Sequence, residues 1–230
     1  ELFEYSEEEQ EAVRQRRKTR TRASPPKIKS LNDKNSRKHF RWLLFNNFVE
    51  GDYLVSLTFD NEYIQKSIPE RKREFTNYIK CLRRLYVKNG LELRYLYVIE
   101  GVNDEARFHY HLVVNSGNGK VTRDEVERLW KCGEHTNSKR LQLDSDGTFT
   151  SLAVYLMKSK DTKKKWERSW NGSHNLKRPE ITTDDNKESR KTMRKIQDAA
   201  RNDEVRVIMS KVYPKFKVID YEIGQNPVTG

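Results

Sequence analysis

The hydrophobic pattern becomes regular near Arg41 and then changes period several times. Tyr53, Val55, Leu57 and Phe59 alternate with Ser56, Thr58 and Asp60, the period of a strand with the first set on its buried face. Ser67 and Glu70 have capping-box spacing and Pro69 suits a first helical turn, so a helix follows. Phe75, Ile79, Leu82 and Tyr86 form one apolar stripe along it, read as core packed on a sheet, and Asn89-Gly90 stops it. Two strands, Leu93–Val102 and Phe108–Asn115, flank a short polar hairpin loop at 103–106. Thr122 and Glu125 make a second capping box before Val126, Leu129 and Trp130, with Gly133 closing that helix. A strand around Lys139–Leu143 and a helix from Thr150 to Lys160 come next. A helical stretch over Lys187–Val212, a strand over Phe216–Glu222 and a turn at Gly224, Asn226 and Pro227 complete the pattern.

Charge divides this pattern into three parts. Residues 1–40 read as an N-terminal arm: Glu7-Glu8-Glu9 gives way to a basic run from Arg14 to Arg22, then Pro25-Pro26, with few apolar residues to build a core. The basic run suits a nucleic-acid backbone as well as it suits a solvated tail. Residues 41–172 form the main domain. Residues 173–230 are a highly charged C-terminal segment, either continuous with that domain or a separate unit. The chain opens on Glu1 and its last expected strand lacks a partner, so a longer natural chain is expected.

Lys and Arg total 46 against 34 Asp and Glu, a formal net charge of +12, which favours a polyanionic partner. A membrane surface is the weaker choice, since no apolar run is long enough to span a bilayer and no signal-peptide pattern opens the chain. Two cysteines, Cys81 and Cys132, stand far apart without a C-x-x-C pair. They argue against a disulfide framework or cysteine zinc site and for a cytoplasmic protein.

His109-Tyr110-His111 is the first chemical signal. Residues i and i+2 of a strand share a face, so both imidazoles converge on one side of the sheet. Pairing Val102 with Arg107 across the loop sets Glu100 opposite His109; a two-residue shift sets it opposite His111. Two imidazoles and a carboxylate suit a divalent ion with positions left open for water or phosphate. The bare H-x-H is weak evidence, because paired strand histidines more often hydrogen-bond or pack. Glu100, within an otherwise apolar run, strengthens it, since an unpaired buried carboxylate is costly. Tyr155-Leu156-Met157-Lys158 is the second signal. On a helix Tyr155 and Lys158 lie on a different side from Leu152 and Leu156, adjacent in space. A phenol with a pKa of about 10 needs a nearby cation to act as a nucleophile. Read alone, the pair is better taken as an aromatic at the core edge beside a solvated lysine, since amphipathic helices often carry this spacing by chance.

Glu100, Arg107-Phe108-His109-Tyr110-His111 and Tyr155-Leu156-Met157-Lys158 together resemble, in order and spacing, the motifs of HUH endonucleases. Ser56-Leu57-Thr58-Phe59 looks like that superfamily's first strand motif. Leu31-Asn32-Asp33-Lys34, Asn47–Asp52 and Ser173–Pro179 look like stretches of plasmid and phage rolling-circle replication initiators of the gene-two type. The resemblance spans residues 25 to 230, with one tyrosine fitting and no P-loop sequence for a helicase.

It implies an α+β fold, a central antiparallel sheet of about five strands with flanking helices. It implies a site-specific, metal-dependent endonuclease: Glu100, His109 and His111 as ligands of Mg or Mn, Tyr155 as nucleophile forming a 5′-phosphotyrosine, and Lys158 assisting. The implied partners are single-stranded DNA at a replication origin, duplex origin DNA, and a host helicase and polymerase. Thr58, Arg107, Lys139, Arg140 and Lys160 are candidates for DNA contact, as are Lys164, Lys165, Trp166 and Trp170; ordinary solvated charge is the competing reading. A relaxase or single-strand transposase of the same superfamily, an inactive DNA-binding protein and an RNA-binding scaffold are the alternatives.

Overall fold

A computed structural model describes residues 26–101, 108–133, 136–158, 169–182, 189–199, 204–216, 218 and 221. The chain divides into two units, residues 1–39 and 40–230. Of the first unit the described part is the beginning of helix α1 (Pro26–Asn47), which is mostly exposed. Helix thus covers residues for which the sequence pattern offers no element. Its apolar side chains are too sparse before Phe40 for a periodic stripe to register.

The second unit is built on strands β1 (Tyr53–Thr58), β2 (Tyr95–Glu100), β3 (His109–Val114), β4 (Thr136–Arg140) and β5 (Asn171–Gly172). They form one five-stranded sheet in the order β4-β1-β3-β2-β5, with every pairing antiparallel. The helices are α2 (Asn61–Ile64), α3 (Ile68–Lys88), α4 (Arg123–Arg128), α5 (Thr150–Leu156), α6 (Arg190–Ala199) and α7 (Val205–Val212). The architecture is the α+β arrangement with flanking helices that the resemblance implies.

Local chemistry explains where the helices begin and end. The Glu70 carboxylate accepts from the Ser67 N–H at 2.9 Å and from its hydroxyl at 2.6 Å, closing the N-terminus of α3. At the other end, Gly90 N–H bonds to the Val87 carbonyl at 3.0 Å and Leu91 N–H to that of Tyr86 at 2.9 Å. That pattern turns the chain through Gly90 at φ +66°, which only glycine adopts without strain. The Thr122–Glu125 box opens α4 as the spacing predicts. Gly133 does not close that helix, which ends at Arg128. Its backbone lies so close to the Thr58 carbonyl that a Cβ would collide with it, and this close approach is what requires glycine.

Both faces of the sheet are covered. On one face Val55, Leu57, Tyr110 and Leu112 pack with the α3 stripe of Phe75, Ile79, Leu82 and Tyr86, which the structure extends by Tyr78. Tyr110 stacks on Phe75 with ring centroids 4.0 Å apart. The opposite face carries a second cluster: Leu96, Val98 and Val113 from the sheet, Phe40 and Leu44 from α1, and Leu156 from α5. Periodicity makes the second face of β1 the polar one. That holds for Ser56 and Thr58, while Leu54 packs against the second cluster.

The expected boundary at residue 172 falls inside a structural clasp. Ser173 N–H bonds to the Tyr95 carbonyl at 2.9 Å, the Asn175 amide donates to Leu93 at 3.2 Å, and buried Asn47 exchanges two hydrogen bonds with the backbone of Lys177, at 2.7 and 2.9 Å. Residues 171–177 therefore belong to the main unit, and four of the residues that carried the resemblance, Asn47, Ser173, Asn175 and Lys177, are architectural.

The expected strand at Lys139–Leu143 is shifted to Thr136–Arg140. The expected long helix after Lys187 is two helices, α6 and α7, around a small cluster of Ile196, Ala199 and Val205. Most of the strand expected over 216–222, and the turn after it, lie outside the described residues, as does the loop at 103–106; Phe216 sits in a bend and is exposed. Both cysteines are free. Among the described residues no helix is long and apolar enough to cross a membrane.

An alkaline transition follows from the first cluster. Burial pushes the phenols of Tyr78, Tyr86 and Tyr110 well above their ordinary value and the Cys132 thiol up to about 11. Each group holds its proton more tightly folded than unfolded. Their stabilisation is therefore complete below about pH 9 and is lost as pH rises toward the folded values. Tyrosinate absorbance is expected to rise in two phases, the later one together with loss of far-ultraviolet circular dichroism. Complete ionisation with the dichroism intact would contradict this burial.

Candidate active site

The polar residues of the second face gather at one end of the sheet. The register sets Glu100 opposite His109 and, on the other side of β3, Thr58 opposite His109 and Ser56 opposite His111. It is the register that pairing Val102 with Arg107 predicts. Tyr110, between the histidines, points the other way and is held among aromatic rings, which fixes the β3 backbone beneath the site.

Glu100, His109 and His111 converge on one point. Glu100 Oε2 lies 3.2 Å from Nε2 of His109 and 3.5 Å from Nε2 of His111, and the two Nε2 atoms are 3.1 Å apart. One ion bound at about 2.1 Å to each would hold its ligands about 3.0 Å apart at right angles and about 3.4 Å apart at tetrahedral angles. The three separations fall at that spacing. Two imidazole nitrogens and a carboxylate oxygen also form a donor set suited to a divalent cation with open positions. This cluster could therefore bind a metal ion, and it is the one such group among the described residues.

His111 is the more enclosed histidine, 6% exposed, and its Nδ1 meets the Ser56 hydroxyl at 3.2 Å. Sequence reasoning misses that contact, although matching Ser56-x-Thr58 against His109-x-His111 as antiparallel partners would reveal it.

Helix α5 brings Tyr155 to the cluster. Seven residues are too few for a helix to persist alone. Its first turn is held by Ser151 N–H to the Asp144 carboxylate at 2.9 Å and Thr150 N–H to the Thr148 hydroxyl at 3.2 Å. Ala153 and Leu156 bury its inner side, Leu156 contributing roughly 1.5–3 kcal/mol. Tyr155, on the flank, is 53% exposed, and its ring centroid lies 5.6 Å from that of His111. Tyr78, Tyr86 and Tyr110, by contrast, are buried with phenols pushed upward, which disfavours them as nucleophiles. The helix ends at Leu156, short of the expected Lys160. Lys158 follows in a turn, its N–H 3.2 Å from the Tyr155 carbonyl, and its side chain is exposed.

The candidate DNA-contact residues are not all gathered here. Lys139 pairs with Leu54 and so shares the histidines' face, whereas Arg140 pairs with Tyr53 on the other, its guanidinium 6.0 Å above that ring. Thr58 lies beside His109 in register, and its carbonyl accepts from the Trp130 indole at 2.7 Å. Trp170 packs on Phe40 with centroids 5.7 Å apart, a core contact rather than an open stacking platform. Arg107, Lys160, Lys164, Lys165 and Trp166 lie outside the described residues.

Compared with known families, residues 52–167 match the model of the replication-associated protein family that groups the ORF2 protein with the gene-two protein, a span of half the 230-residue chain. The span includes Glu100, His109, His111, Tyr155 and Lys158. No curated protein and no solved structure matches the chain.

Proposed function

The chain belongs to the replication-associated protein family of the ORF2 and gene-two proteins, and on that footing we propose that it is an HUH-type nickase and strand-transferase that starts rolling-circle replication on single-stranded origin DNA. The observation that carries the reading is the placement of one exposed tyrosine beside a two-histidine, one-carboxylate cluster. Membership in a replication-associated family favours this over transfer or transposition by the same chemistry.

Glu100, His109 and His111 would hold a divalent ion, Mg or Mn, which when bound supplies positive charge to polarise the scissile phosphate. Tyr155 Oη attacks the phosphorus. An O–P bond forms to the phenolic oxygen while the bond to the 3′-oxygen breaks. The phenol gives its proton to water and the leaving 3′-oxygen takes one up, so the products are a 5′-phosphotyrosine and a 3′-hydroxyl. One phosphodiester is exchanged for another, so the linkage is retained for rejoining. Lys158, just beyond the helix, adds positive charge on the tyrosine's side of the site and stabilises the charge that develops on phosphate. His111 and the α5 packing hold the phenol ring in place. Partners in this role are the origin in single-stranded and duplex form, a helicase and a polymerase.

An oligonucleotide carrying the candidate origin tests the reading. Labelled at its 3′ end and incubated with Mn, it is expected to run on a denaturing gel at the mass of the protein. The same strand labelled at its 5′ end is expected to shorten and stay free. Tight binding at low salt with neither product would sink the nickase reading and leave a DNA-binding protein.

A further inference from the structure

Strand β1 sets a hydroxyl opposite each histidine of β3. The register pairs Ser56 with His111 and Thr58 with His109, so a Ser-x-Thr alternation matches a His-x-His alternation across one face. At Ser56 the contact is direct, Oγ lying 3.2 Å from Nδ1 of His111. The other nitrogen of that ring faces the cluster, 3.1 Å from Nε2 of His109 and 3.5 Å from the Glu100 carboxylate. A neutral imidazole carries its proton on one nitrogen only, and a nitrogen that offers a lone pair to a cation cannot be the one. With Nε2 turned to the cluster, the proton belongs on Nδ1, where it needs an acceptor. The Ser56 oxygen stands at hydrogen-bonding distance from it.

We infer that Ser56 is a positioning residue of the metal site: its hydroxyl oxygen accepts the Nδ1–H of His111, which sets the ring's tautomer and rotation and leaves Nε2 free to ligate a divalent cation. The inference rests on the metal-dependent reading above. It draws further support from where Ser56 sits. Strand β1 lies inside the sheet between β4 and β3, and its neighbours Val55 and Leu57 are fully buried, so the backbone presenting the hydroxyl is fixed on both sides. A serine also has a charge consequence that a carboxylate would not share. Among the three candidate ligands only Glu100 carries formal negative charge. A neutral acceptor behind His111 orients the ring without cancelling the positive charge a divalent ion would present to phosphate.

The test measures Mn binding by the electron paramagnetic resonance of the free ion. Wild type is compared with Ser56→Ala, Ser56→Val and Ser56→Thr. Nitrogen-15 NMR of the His111 ring is recorded on each metal-free protein. Binding is expected to weaken about 10–100-fold in the alanine and valine variants, with threonine restoring it to within about threefold of wild type. The wild-type ring is expected as the Nδ1–H tautomer, and that single form is expected to be lost when the hydroxyl is removed. Valine and threonine are close in volume, so the hydroxyl is what separates them. Equal Mn affinity in wild type and the alanine variant would overturn the role of Ser56 and leave the metal reading standing. A threonine variant as weak as the valine one, or a wild-type His111 protonated on Nε2, would overturn it too. A wild type that binds no Mn would overturn both.

Discussion

Tyr155→Phe is expected to lower formation of the covalent protein–DNA product by at least about 10⁴-fold, the scale on which removal of a nucleophile is felt. The substitution deletes one oxygen and keeps the ring, so the contact with His111 at 5.6 Å and the α5 packing remain. DNA binding is therefore expected within a few-fold of wild type, and the melting temperature close to it. Loss of product with binding retained separates chemistry from recognition. Product formed at undiminished yield would mean that another group attacks the phosphate, which the upward-shifted phenols of Tyr78, Tyr86 and Tyr110 argue against. If α5 were disturbed by the change, the melting temperature would report it, and Lys158→Ala, exposed in the turn beyond α5, would then serve as a second probe of the proposed chemistry.

Removal of the metal is expected to have a comparably large effect. EDTA should abolish cleavage by the wild-type protein, and Mn should restore it. His111→Ala takes away one of the three converging donor atoms, on the ring whose Nδ1 meets the Ser56 hydroxyl. Its affinity for Mn is expected to fall by more than about 100-fold, beyond the loss typical of an outer partner. Binding also reports itself as stability. Mn at about 100 times its dissociation constant contributes about 2.7 kcal/mol, which for a chain of this size raises the melting temperature by roughly 5–10 °C. The wild type and Tyr155→Phe are both expected to show that rise, and His111→Ala at the same Mn concentration to show no more than about 1–2 °C. A rise of equal size in His111→Ala would place the cation elsewhere. Cleavage that persists undiminished in EDTA would contradict a metal-dependent mechanism.

Much of this site is legible in the sequence because it rests on short-range rules. Strand periodicity alone puts His109 and His111 on one face, and a hairpin with a short loop leaves few registers for Glu100. The register found, Glu100 opposite His109, is one of the two that the hairpin allows. Capping chemistry places the starts of α3 and α4, and the apolar stripe places the buried face of α3. What escapes depends on contacts between residues distant in sequence. Strand β5 has two residues, too few for any period, and is defined by its pairing with β2. Asn47 and Lys177, 130 residues apart, meet through an amide and a backbone, and nothing local marks either. Gly133 reads as a helix stop because glycine often is one, whereas its reason is the Thr58 carbonyl beside it. The end of α5 at Leu156 rather than Lys160 moves Lys158 from the helix into the turn after it, which periodicity does not resolve.

The most direct test of the central claim is to digest the purified protein–DNA adduct with protease and nuclease and to locate the nucleotide remnant by mass spectrometry. A single modified peptide is expected, with the phosphate on the Tyr155 oxygen, formed only when Mn or Mg is present. A remnant on any other residue, or cleaved DNA that bears a free 5′-phosphate and no protein, would contradict it.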